Sequence, residues 1–105
     1  MAAITIAEAI VGEAQVTLSS TPNTMQEIVI PGNARMCEVH FTSHPGKVIH
    51  NGGTDGAVIS TELDWTVEKD SAYYWPIPRS AGAHSIWVAS GTGSVVCRIR
   101  TYEGA

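Results

Sequence analysis

Four histidines, His40, His44, His50 and His84, have the widest chemical range in this chain of 105 residues. A histidine metal site needs ring nitrogens that converge on one point, and short spacings on one element are the usual way to reach it. His40 lies on a strand-like run, whereas His44 falls beyond it at a Pro-Gly turn, so the spacing fixes no common focus. There is no His-Glu-x-x-His and no Cys-x-x-Cys. The histidines read as separate surface or loop residues, and no metal is expected. Asn51–Gly56 places Asn51 and Asp55 among glycines, but it lacks the further carboxylates that six to eight oxygen ligands require. It reads as a hairpin turn. Gly91-Thr92-Gly93-Ser94 lacks the lysine and following helix of a phosphate loop and reads as a turn too.

Acid–base and nucleophilic arrangements are equally sparse. His84 and Ser85 are adjacent on a predicted strand, so they point to opposite faces. Glu62 and Asp64 are two apart and would share a face, but a carboxylate pair without a cleft is a thin basis for glycoside hydrolysis. No catalytic residue and no cofactor is expected, and the chain reads as non-enzymatic.

Cys37 and Cys97 each fall on the apolar face of a strong strand pattern. A disulfide joining two sheets is one reading, with Trp65 between the cysteines as in immunoglobulin domains. The spacing disagrees with that family, because Val95 stands where a tyrosine belongs two residues before the second cysteine. Two buried free thiols, packed as small hydrophobes, is the preferred reading.

Trp65, Tyr73, Tyr74, Trp75 and Trp87 carry the sharper ambiguity. Large rings fill β-sandwich cores, and Trp65 and Trp75 are assigned there. Tyr73 and Trp75 alternate with Tyr74, so at least one ring must face outward. Exposed aromatics on such domains form protein interfaces or stack on sugars. The low charge of the chain favours interface.

The elements that position these residues follow from composition. Ile, Val and Thr number ten each, against two leucines, Leu18 and Leu63. β-branched side chains are stiff at χ1 and favour the pleated strand. Ten glycines and five prolines cut the chain into short runs. Strands are predicted over 14–19, 25–30, 35–42, 47–50, 57–60, 65–68, 73–78, 85–90 and 94–102. Alternation is clearest where Cys37, Val39 and Phe41 share one face, and where Val95, Cys97 and Ile99 face inward against Val96, Arg98, Arg100 and Tyr102. Prolines in 73–78 cannot donate to a ladder, so that strand belongs at an edge. The fold class is all-β: a two-sheet antiparallel sandwich of jelly-roll or Greek-key type. Residues 1–24 form an N-terminal arm or edge strand (Ile4 to Val11) and first strand, and 25–105 the sandwich body of a single domain.

Charged residues make up 15% of the chain and the net charge is −4. Clustered cations are what nucleic acid and anionic membranes require, so neither is an expected partner. Arg98 and Arg100, two apart on one strand face, suit a salt bridge or an interface rim better than a phosphate track. A sparsely charged β domain is poorly soluble unless other subunits cover it, which points to assembly as a homo-oligomer. The first residues lack a positive region and break their apolar run at Glu8, so the expected setting is the cytoplasm or a particle assembled there.

The phrasing Ile30-Pro31-Gly32-Asn33-Ala34-Arg35 between two strands is followed by Val48-Ile49-His50-Asn51-Gly52-Gly53-Thr54-Asp55-Gly56. Tyr74-Trp75-Pro76-Ile77-Pro78 and Ile86-Trp87-Val88-Ala89-Ser90-Gly91-Thr92-Gly93-Ser94 come after it. Over residues 25–102 the chain resembles the small β-sandwich virion proteins of tailed bacteriophages, in particular capsid decoration or cement proteins. The resemblance implies a trimer or dimer on the capsid surface, assembled in the host cytoplasm and holding major capsid protein subunits together. An N-terminal arm that adds a strand to a neighbour would suit that role. The residues assigned to an interface are Ile4, Ile6, Tyr74, Trp87, Tyr102, Arg98 and Arg100, over a core of Cys37, Val39, Phe41, Val95, Cys97 and Ile99. The alternatives are a carbohydrate-binding module stacking sugars on Tyr74, Trp75 or Trp87, and a fibre, tail or neck component of the same fold.

Overall fold

Strict alternation of apolar and polar residues gives each strand one face to bury, and the chain meets that demand with two sheets packed face to face. A computed structural model describes residues 3–50, 52–59, 65–77 and 83–103. Among them are nine strands and no helix: β1 (Ile4–Thr5), β2 (Val11–Thr17), β3 (Gln26–Ile30), β4 (Met36–Phe41), β5 (Gly46–Ile49), β6 (Trp65–Val67), β7 (Ala72–Pro76), β8 (His84–Ala89) and β9 (Val96–Tyr102). One sheet has the order β1-β3-β8-β5-β6 and the other β2-β9-β4-β7.

The pairings explain that order. β2 pairs with β9, β3 with β8, β4 with β7 and β5 with β6, all antiparallel. The chain therefore runs out along β2–β5 and returns along β6–β9 as one long ribbon, its tip between β5 and β6. Successive segments of the ribbon fall alternately into the two sheets, and the β4–β9 and β5–β8 pairings sew it closed. This is the strand order of a jelly roll. The ribbon's two ends meet at Ile10, whose carbonyl accepts from the Glu103 amide at 2.9 Å.

The core lies between the sheets. Cys37, Val39, Phe41, Cys97 and Ile99 from one sheet meet Ile28, Ile30, Val48, Ile86 and Val88 from the other, all fully buried. Each large aliphatic side chain so buried contributes about 1.5–3 kcal/mol. Val95, the remaining core assignment, is buried just before β9. Gly46 is held by packing: a Cβ there would run into the ring of Phe41.

A second, smaller core sits on the outer face of the first sheet. Residues 52–59 fold back over it and bury Met25, Ile49, Ile59 and Ala89, with Ala57 and Trp87 partly buried beside them. The Gly56 amide donates to the Met25 carbonyl and the Met25 amide to Ala57, both at 2.8 Å. The Glu27 amide donates to Asp55 Oδ1 at 3.0 Å. Residues 52–56 turn the chain, with Gly52 and Gly56 at φ near +82° and +83°, but not as the expected hairpin: no strand follows at 57–59, β5 pairs with β6 instead, and Asn51 lies outside the described residues.

Several expectations change. Residues 57–59 do not form a strand; a lone bridge joins Thr24 to Val58, and Ser60 lies outside the described residues. Of the two readings of Ile4–Val11, the edge strand holds over Ile4–Thr5 and the free arm does not: Ile4 and Thr5 pair in parallel with Ile28 and Val29 at the end of a sheet, and Ile6 is 2% exposed within the core. The Ile6 amide donates to the Val29 carbonyl, which pulls the segment onto its own β3 edge. Ile6 is thereby removed from the interface set. β2 pairs along its whole length with β9. The 73–78 strand does lie at a sheet edge, as its prolines require. Trp75 faces inward but stays half-buried there, and the Trp65 side chain lies outside the description.

Both cysteines are free and buried. They lie on neighbouring strands of one sheet, where Cys37 is opposite Thr101 and Cys97 opposite Phe41. The two pairings are four residues apart, on the order of 13 Å along the strands, beyond the roughly 7 Å Cα reach of a disulfide. An intersheet bridge is thereby excluded. Burial pushes the Cys37 thiol from 9.0 up to about 12, with the Glu38 charge adding to it, and burial raises Cys97 in the same direction. The stability tied to keeping these thiols neutral is full below pH 9.0 and falls as the pH climbs from there toward about 12. Alkylating reagent at neutral pH should add no mass to the folded protein and two adducts to the unfolded one. Rapid labelling of the native protein would contradict this packing.

Candidate interaction face

The two outer faces of the sandwich differ. One is roofed by residues 52–59; the other, on β2-β9-β4-β7, is bare. On the bare face the strand register lines outward side chains into rungs that cross all four strands. Val11, Tyr102, Met36 and Pro76 form one rung. Glu13, Arg100, Glu38 and Tyr74 form the next, and Gln15, Arg98, His40 and Ala72 the third. Successive rungs are about 7 Å apart.

The first rung is apolar, and the exposed large hydrophobic residues concentrate around it. Ile10, Val11, Met36 and Tyr74 belong to this face or its near end, with Ile10 75% and Tyr74 55% exposed. Val58 is the one such residue elsewhere among those described.

The second rung is saturated. The Arg100 guanidinium donates to Glu13 Oε1, from Nε at 3.0 Å and also from Nη2. The Tyr102 hydroxyl donates to Glu38 Oε1 at 2.7 Å. Glu38 also raises the pKa of the Tyr74 phenol, first by its charge and then by a hydrogen bond. Hydrogen bonding to Glu13 holds Arg100 firmly in its charged form. The salt-bridging role expected of this arginine pair is therefore met by Arg100. Arg98, one rung on, makes no ion pair among the described residues.

Between the second and third rungs lies a groove of about 430 Å³, lined by Glu13, Gln15, Glu38, His40, Arg98 and Arg100 over Ala14 and Ile99.

The structure thus gathers Tyr74, Tyr102, Arg98 and Arg100 from the predicted interface set onto one face and sends the others away. Ile4 lies on the β3 edge of the opposite sheet, packed against the core. Trp87 is on the roofed face, and Gly53 sits so close to its indole that a Cβ would collide with the ring. Sequence reading missed Met36, Glu38, Glu13 and Val11. The missed signal was register: each sits across from a residue already singled out.

The histidines do not converge. His40 is on the bare face, and the exposed His44 lies 3.0 Å from Ser43 Oγ. His50 packs its ring 4.6 Å from that of Trp75, and burial, with His84 nearby, lowers its pKa. Among the described residues no group of three or more His, Cys, Asp or Glu could hold a metal ion. Asn51, Glu62 and Asp64 lie outside the described residues. No described helix is long and apolar enough to cross a membrane. No protein-family model, curated protein or solved structure matches the chain.

The Glu38–tyrosine network is open to titration. Glu38→Gln should bring the Tyr74 phenol down toward its ordinary value of 10.0, because the largest cause of its upward shift is removed. Ultraviolet titration of the phenolates in both proteins checks this. An unchanged high-pH transition would show that Glu38 does not govern Tyr74.

Proposed function

We propose that this protein is a non-enzymatic structural component of a tailed-phage virion, a decoration or cement protein that binds the capsid lattice through the bare face of β2-β9-β4-β7. The observation that carries the reading is the contrast between the two outer faces. A chain that roofs one sheet with its own residues 52–59 leaves the other exposing Ile10, Val11, Met36 and Tyr74 together. Exposed apolar residues gathered in one patch mark an interaction surface. Tyrosine, methionine and arginine, the types enriched at protein interfaces, are the types present here.

Other features agree with assembly. The groove's lining holds no nucleophile–base pair, so it suits contact with another surface better than turnover of a small molecule. The resemblance to phage decoration proteins supplies the particular partner, the major capsid protein. Jelly rolls also serve as lectin domains, but sugar stacking fares less well. Of the three rings it would use, Trp87 is roofed and Trp75 faces inward, leaving Tyr74 alone.

Deleting residues 2–11 is a poor test, since it would strip Ile6 from the core. Met36→Asp is a better one, because Met36 is exposed and its neighbour Cys37 carries the packing. The purified chain is expected to bind capsid particles of the parent phage that lack it, in many copies at symmetric positions. Met36→Asp should weaken binding about tenfold or more without lowering the unfolding midpoint. A wild-type chain that fails to bind such particles would overturn the reading.

A further inference from the structure

Within that capsid-surface reading, we infer that the groove takes a carboxylate side chain of the neighbouring capsid protein, which pairs with Arg98, two rungs from the apolar one. The inference deepens the reading by naming the chemistry the partner must present.

It starts from a charge account of the groove. Four ionic side chains line it: Glu13, Glu38, Arg98 and Arg100. Glu13 is taken by Arg100, and Glu38 accepts from Tyr102 and carries a hydrogen bond with Tyr74. Glu38 is thus satisfied by phenols, and of the four Arg98 alone makes neither an ion pair nor a side-chain hydrogen bond among the described residues. Its outward rung neighbours are Gln15 and His40, one on each side, and both carry N–H groups able to donate to the same oxygen acceptor. A planar guanidinium flanked by two further N–H donors suits a single carboxylate, which it can grip with two parallel hydrogen bonds.

The same account disfavours a polyanion. A phosphate chain or an anionic lipid sheet laid over this face would meet Glu13 and Glu38 about 7 Å from Arg98, on a protein of net charge −4. One carboxylate placed at the Arg98 end avoids both. The apolar rung lies two rungs away, on the order of 14 Å. The partner surface is thus an apolar strip with an acidic side chain about that far from it. When both surfaces lose water together the pair gains strength relative to an exposed one.

The test uses capsid particles lacking this chain, with binding measured across a range of salt concentrations. Wild-type binding should weaken as salt rises. Arg98→Gln, at an exposed position, should bind about tenfold or more weakly at low salt and lose most of the salt dependence, with its unfolding midpoint unchanged. Arg98→Gln binding as tightly as wild type, with the same salt response, would overturn the inference while leaving the capsid-surface reading standing. Failure of the wild-type chain to bind at any salt concentration would instead overturn the reading beneath it. If the substitution altered only self-association, measured by sedimentation, the carboxylate would belong to a second copy of this chain and the inference would be wrong.

Discussion

The two-residue period of β9 and β4, at the centre of one sheet, is the constraint on which the rest depends. Cys97, Ile99 and Thr101 point into the sandwich with Cys37, Val39 and Phe41, and all six are buried. Because the pleat alternates, the residues between them, Arg98, Arg100, Glu38 and His40, have only the outer face to occupy. The packing that fixes the core thus also fixes the charged rungs. A slip of one residue would exchange the two sets and bury two arginines and a glutamate without partners, at a cost of several kcal/mol per ion.

Much of the architecture was legible for that reason. β-branched runs, turn residues and alternation gave an all-β sandwich, the inward faces of β4 and β9, and the edge position of the strand carrying Pro76. Two things were not legible. Whether an exposed-looking apolar residue is covered depends on long-range contacts: Ile6 is drawn in by parallel pairing to β3, and Trp87 is roofed by residues 52–59. Local patterning contains neither fact. The interaction face was half legible. Tyr74, Tyr102, Arg98 and Arg100 could be picked by type and outward phase, but their grouping, and the inclusion of Met36 and Glu38, needed the cross-strand register.

The ribbon topology bears on what a partner on this face would do. Its four strands include both ends of the ribbon, through β2 and β9, and the middle of it, through β4 and β7. A partner gripping this sheet would hold segments distant in sequence at once, so its binding would oppose unrolling of the whole sandwich. The opposite sheet, already sealed by its own loop core, would face solvent.

Imaging of decorated capsid particles, at a resolution that distinguishes the two sheets, tests the central claim most directly. The account predicts that β2-β9-β4-β7 lies against the capsid subunits, with Met36 and Tyr74 at the contact and residues 52–59 on the solvent side. A chain seated with residues 52–59 against the lattice and the Met36 face open to solvent would contradict it.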